Sequence, residues 1–266
     1  IVAVGHGVSV ERVGERELVE PCFWEFGGEK LEPPWYLGSE CDGGFAEYVR
    51  VPGVHAHAIN RELTDIELAS FPCSYSTAEN MLTRAGVREV ERVLVTGASG
   101  GVGSAAVQLA RARGATVLAQ TSPAKVTLLQ ELGADQVIER GEDLLDNPGM
   151  NQVDVVIDLV AGPTWPQLLE ILRPGGRYAV AGAIAGPIVE LDVRTLYLKD
   201  LSLFGCTVLG TGVFARLVKR IEQGKVRPLV AKTYPLQQIT AAQCEFQKKN
   251  HVGKLVLEIN SRERAG

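Results

Sequence analysis

Apolar and polar positions change rhythm near residue 76. Before it, the short apolar runs IVAVG, ELVEP and GGFAEYVRVP are separated by turn-forming clusters, including a loop containing Gly27, Gly28, Pro33 and Pro34. Short runs with dense punctuation predict strands and turns. After it, TAENMLTRAG has helical spacing, RVLVTG reads as a strand, and Val102 to Arg113 reads as a helix ended by Gly114. The alternation continues with strand TVLAQTS, helix AKVTLLQELG closing on Gly133, strands DQVIER and VDVVIDLV, helix TWPQLLEILR, and strands GGRYAVAGA and LSLFGCTVL. Strands alternating with helices build parallel sheet through crossover units, and strands apolar on both faces need helices on both. The expected fold class is α/β, with a doubly wound parallel sheet over residues 76–210. From Gly212, VFARLVKRIEQGK reads as a helix leading into RPLVAKTYPL, and GKLVLEI as the closing strand; the charged NSRERAG tail is expected to fray.

The most informative segment is VLVTGASGGVG, residues 93–103, which runs from a predicted strand straight into a helix with apolar Val107, Leu109 and Ala110. Glycines in that context let the backbone turn tightly and approach a diphosphate. The amides of Ser99, Gly100, Gly101 and Val102 then face negative charge, and Gly103 lets the helix pack closely on its strand. A plain turn that needs glycines for geometry alone is the competing use. The loop's place at the head of a repeating strand–helix series favours the Rossmann dinucleotide reading, although Ala98 stands where the fingerprint has its first glycine.

The next strand bears on which dinucleotide. Enzymes that prefer NAD place an acid about 20 residues beyond the loop to bond the ribose 2′-hydroxyl. Here the strand ends in Gln120, Thr121 and Ser122, followed by Lys125. Two hydroxyls and a cation suit a 2′-phosphate, so NADP is expected over NAD; Thr121 and Ser122 can also serve as caps for the next helix.

Composition narrows the classes. With 266 residues, 45% hydrophobic content and a net charge of -5, the chain has the make-up of a folded protein and no basic patch for a nucleic-acid backbone. No apolar run approaches the roughly 18 residues needed to cross a bilayer. Five cysteines at irregular spacing read as free thiols in a reducing compartment, hence a cytoplasmic protein.

Five segments in order, DGGFAEYVRVP, ELASFPCSYSTAENML, VLVTGASGGVGSAAVQLARARGA, LRPGGRYAVAGA and HVGKLVLEI, make the chain resemble the medium-chain dehydrogenase/reductase superfamily of alcohol dehydrogenases and quinone oxidoreductases. The resemblance implies a partial β-rich, GroES-like catalytic domain from residues 1–75, the Rossmann domain over 76–210, and a return to the catalytic domain over 211–266. It maps nicotinamide contacts onto Thr77, onto Val160 and Ala161, onto Gly182, Ala183 and Ile184, and onto Cys206, Thr207 and Val208. It also implies that the chain is N-terminally truncated, because family members carry further sequence before a segment similar to IVAVGHGV. The catalytic residues are therefore not assigned.

Cys73 falls where zinc-dependent relatives place a catalytic ligand, but such a zinc needs three protein ligands. A small buried thiol beside the cofactor is the favoured use. His6, His55, His57 and His251 show no metal spacing and read as surface or structural histidines. The expected activity is hydride transfer between NADP(H) and a small carbonyl, alcohol, quinone or enone. The alternatives are a zinc-dependent alcohol dehydrogenase and a cofactor-binding homologue without turnover. The last strand of the sheet, apolar and at an edge, is expected to pair with its copy in a homodimer.

Overall fold

The computed structural model describes residues 1–147 and 150–259, so the closing NSRERAG segment lies outside the described residues. The chain divides into two units, Ile1–Cys73 with Phe214–Gly266, and Ser74–Val213. The first unit opens with four short strands, β1 (Glu17–Val19), β2 (Cys22–Phe26), β3 (Glu29–Tyr36) and β4 (Ala56–Ala58). β1 pairs antiparallel with β4, and β2 with β3.

The β2–β3 hairpin corrects the expected loop. Its turn is Gly27–Gly28, with φ of +65° and +86°, the left-handed pair that matches the twist of flanking strands. Pro33 and Pro34 are tolerated in β3 because a strand of a two-stranded sheet has a free edge. Phe26 packs against Trp35 across the hairpin at 5.3 Å between ring centroids. Two other expected strands, IVAVG and GGFAEYVRVP, are not formed, and Phe45 and Tyr48 stand exposed. Apolar rhythm suits a strand, but only a hydrogen-bonding partner makes one, and no described strand pairs with either segment. Gly14 N instead donates to Ile1 O at 2.9 Å, and the amino group of Ile1 to Glu15 O at 2.7 Å.

His55 is structural. The backbone amide of Trp24 donates to His55 Nε2 at 3.0 Å, so the ring carries its proton on Nδ1 and donates it to the buried Glu20 at 2.9 Å. His57 Nε2 reaches the same carboxylate at 3.4 Å, with its ring 5.1 Å from that of Phe214. Burial pushes the Glu20 carboxyl up, but its hydrogen bonds to the two histidines outweigh this and hold it below the usual carboxylate range. The following short helix α1 (Asp65–Ala69) starts with a reciprocal cap between Thr64 and Glu67.

The second unit runs α2 (Ser74–Arg84), β5 (Arg92–Val95), α3 (Gly101–Arg111), β6 (Thr116–Thr121), α4 (Val126–Glu131), β7 (Gln136–Glu139), β8 (Val153–Asp158), α5 (Trp165–Glu170), β9 (Leu172–Val180), α6 (Val193–Leu198) and β10 (Ser202–Gly205). Its six strands form one parallel sheet in the order β10-β9-β8-β5-β6-β7. The order reverses between β5 and β8, which is the doubly wound Rossmann arrangement. Leu94, Leu118, Ile138, Val156, Leu168 and Tyr178 belong to one buried cluster. Each apolar side chain so buried contributes about 1.5–3 kcal/mol. Helix α2 is joined to α3 by Gln108 Nε2 donating to Tyr75 OH at 2.9 Å, and to the turn after α3 by a largely buried ion pair, Arg113 Nη2 to Glu79 Oε1 at 2.8 Å.

The chain then continues through α7 (Val213–Glu222), β11 (Val230–Pro235), α8 (Ile239–Gln247) and β12 (Lys254–Glu258), with β11 and β12 parallel in the first unit. None of the five cysteines is in a disulfide. No helix of the described residues is long and apolar enough to cross a membrane.

Candidate functional site

Because the sheet is parallel, its strands deliver their carboxyl ends to one edge, and register fixes which ends are neighbours. Val95 lies beside Ala119 and Ile157, Asp158 beside Val180, and Val180 beside Gly205. The residues that sequence reasoning singled out after β5, β6, β8, β9 and β10 are thereby gathered at one rim. Ligands of open parallel sheets bind at that rim, next to the reversal of strand order.

The centre of the rim is the glycine loop. Gly97 adopts φ +57°, and a β-carbon on it would stand 3.1 Å from Val160 Cγ2. A β-carbon on Gly103 would collide with the Gly97 carbonyl and stand 2.7 Å from Ala98 Cα. This position therefore requires glycine for the close approach of α3. Ala98 N donates to Gln120 O at 3.1 Å, tying the loop to β6, and Ser99 is buried. Gly100 caps α3 without a side chain, and Ser104 N makes the first helical bond back to Gly100 O at 2.9 Å. The amides of Gly101, Val102 and Gly103 thus lack acceptors within the helix and lie at its positive end. A side-chain-free approach with amides to spare fits the diphosphate of a nicotinamide dinucleotide.

Beyond β6, Ser122 precedes the single 3-10 turn Pro123–Lys125 and makes no capping bond with its side chain. Its hydroxyl is not consumed by the helix start, and Lys125 is half-buried beside it. The Thr121 hydroxyl is buried with no hydrogen-bond partner among the described residues. Sequence reasoning missed two neighbours of this corner. Glu139 is paired in register with Thr121, and Arg140 N donates to Thr121 O at 2.7 Å.

The remaining residues sit as follows. Val160 is half-buried and Ala161 buried after β8; Gly182, Ala183 and the exposed Ile184 follow β9; Cys206, Thr207 and Val208 follow β10. Burial pushes the Cys206 thiol above its ordinary value. Thr77 lies in α2, the helix whose Asn80 Nδ2 donates to Val208 O at 3.0 Å, while Asn80 Oδ1 accepts from Gly210 N at 3.4 Å. Cys73 is exposed, with φ +69°, which corrects the expected buried thiol: it sits in the turn between α1 and α2 and not in the core. Among the described residues no three His, Cys, Asp or Glu side chains are grouped to hold a metal.

One buried acid at the rim also escaped sequence reasoning. Asp158 ends β8 fully buried and accepts from Thr96, Tyr178 and the amides of Val160 and Ala161. Its signal was an acid closing an otherwise apolar run, VDVVID.

Comparison with known proteins agrees with this fold. A family model described as zinc-binding dehydrogenase matches residues 101–223. The chain is 33% identical to acryloyl-coenzyme A reductase of Metallosphaera sedula over 97% of its own length and 80% of that protein's. A candidate alcohol dehydrogenase from Sinorhizobium meliloti 1021 superposes with a TM-score of 0.90 at 50% identity, covering 96% of this chain and 73% of that one. Quinone oxidoreductase from Thermus thermophilus, solved alone and with NADPH, superposes with a TM-score of 0.72 at 33% identity, covering 81% and 74%.

Proposed function

The chain belongs to the medium-chain dehydrogenase/reductase superfamily of oxidoreductases, and from that premise we propose that it uses NADP(H) to reduce a conjugated double bond or carbonyl in a small molecule. The carrying observation is the glycine cradle, where Gly103 excludes any side chain and the first-turn amides of α3 stand open. When bound, the cofactor supplies a hydride at C4 of its nicotinamide. The protein's own residues supply position. Gly101 and Val102 hold the diphosphate, while Ser122 and Lys125 take the 2′-phosphate through a hydroxyl donor and a cation. Val160, Ala161 and the residues after β9 and β10 shape the nicotinamide end.

Conjugated acceptors, such as quinones, enones and enoyl thioesters, are favoured because the relatives include reductases of an enoyl thioester and of quinones. Such acceptors can take hydride without an alcohol bound to zinc. The experiment is a titration with NADPH and NADH followed by turnover on quinones, enones, enoyl thioesters and aldehydes. Oxidation of NADPH by a conjugated acceptor is expected. Tight binding with no turnover across the panel would favour a cofactor-binding homologue without activity.

We further propose a homodimer through β10. It is one of the two edge strands of the sheet, and Leu203 on it, like Tyr197 and Leu198 of the preceding helix α6, is exposed. Unpaired edges with apolar surroundings favour pairing with a second copy. A monomeric mass in solution would overturn it.

A further inference from the structure

Asp158 is a buried charge that the proposed chemistry leaves unused. Among the described residues its partners are neutral donors. Oδ1 accepts from Thr96 Oγ1 at 2.5 Å, Val160 N at 2.9 Å and Ala161 N at 3.2 Å, while Oδ2 accepts from Ala161 N at 3.1 Å and from the Tyr178 hydroxyl. Thr96 Oγ1 in turn accepts from Leu159 N at 3.1 Å. One carboxylate thus ties together the ends of β5, β8 and β9. Burial first, and the Asp158 charge second, push the Tyr178 phenol far above the usual tyrosine range, so it stays a donor.

What this carboxylate holds is an unusual backbone. Ala161 has φ +53° and ψ −142°, a conformation that L residues rarely adopt. Gly162 follows at φ +71°, where a β-carbon would stand 2.7 Å from Ala185 Cβ. Val160, held by the same carboxylate, packs beside Gly97 of the glycine loop. The amides of Val160 and Ala161 turn inward to Asp158, so the loop surface faces the rim in one shape.

We propose that Asp158 is a positioning residue for the cofactor: its carboxylate locks the Leu159–Gly162 loop and so shapes the nicotinamide end of the site more than the diphosphate end. The inference rests on the functional reading above. An amide in its place offers one acceptor oxygen and presents an NH2 group to neighbours that are themselves donors. Whichever way the amide turns, at least one of these donors loses its acceptor, and the strained turn is held less firmly.

The test compares wild type with Asp158→Asn for binding of NADPH, NADH and ADP; ADP has the adenosine and diphosphate but no nicotinamide. The variant is expected to bind the better dinucleotide about tenfold or more weakly than wild type, with ADP affinity within about twofold. A merely structural role would weaken ADP and dinucleotide alike. Equal losses, or no loss, would overturn the proposal. Should Asp158→Asn fail to fold, Tyr178→Phe, which removes the phenol donor to Oδ2 from outside the glycine loop, decides by the same comparison with a loss of about threefold. A folded wild type that binds neither dinucleotide refutes the functional reading and this inference with it. Wild-type binding without the selective loss refutes this inference alone.

Discussion

A β-carbon on Gly103 would stand 2.7 Å from the Cα of Ala98, so the first turn of α3 lies against the loop that leads into it with no room for a side chain. Gly103→Ala must therefore push helix and loop apart. We expect a loss of about 1–3 kcal/mol of stability and a fall in dinucleotide affinity larger than that of a control substitution elsewhere on α3. Urea unfolding and fluorescence titration read the two effects.

In the function proposed above, the corner after β6 sets the preference between cofactors. Placing a carboxylate there by Ser122→Asp puts like charge against a 2′-phosphate and gives a ribose hydroxyl an acceptor. Affinity for NADPH is expected to drop about tenfold, near 1.4 kcal/mol, with NADH unchanged or improved. Parallel titrations with both cofactors check it, and equal changes in both would be the wrong result.

The ion pair between Glu79 of α2 and Arg113, in the turn after α3, is largely buried. Arg113→Ala withdraws the cation and leaves a buried carboxylate undercompensated. The expected cost is about 3–5 kcal/mol, and Glu79→Gln in the same background should restore part of it. Denaturant midpoints of the single and double variants measure the coupling.

Acid sensitivity of the first unit follows from Glu20. Its folded pKa lies below the unfolded value, so its contribution is fully present above the unfolded pKa and is lost as pH falls through the folded one. Wild type should lose more thermal stability between about pH 5 and about pH 3 than Glu20→Gln does, because the variant has no such carboxylate to protonate. Identical acid limbs would remove Glu20 from the account.

Much of the second unit was legible because its strands are apolar on both faces, which few other arrangements require. VLVTG, TVLAQT and VDVVID each became a strand of the sheet, and Gly103 and Gly114 marked features that only backbone geometry explains. The first unit was less legible. There the alternation in GGFAEYVRVP is as strand-like as that of ELVEP, but pairing decides, and pairing is a long-range property that a local pattern does not contain. The Gly27–Gly28 turn was present in the sequence, yet Pro33 and Pro34 outweighed it until β3 was seen to have a free edge. Helices α6 and α8 were missed because α6 is short and lacks a buried face, and α8 buries only Ala242. The Asp158 network was hidden because its donors, Thr96 and Tyr178, lie 62 and 20 positions away along the chain.

The central claim is that the amides opening α3 grip the diphosphate of a nicotinamide cofactor. Fluorescence titration of the folded wild-type chain with NADPH and with NADH tests it most directly. Saturable binding is predicted, tighter for NADPH and lost on widening Gly103. A folded chain with no measurable affinity for either dinucleotide would contradict it.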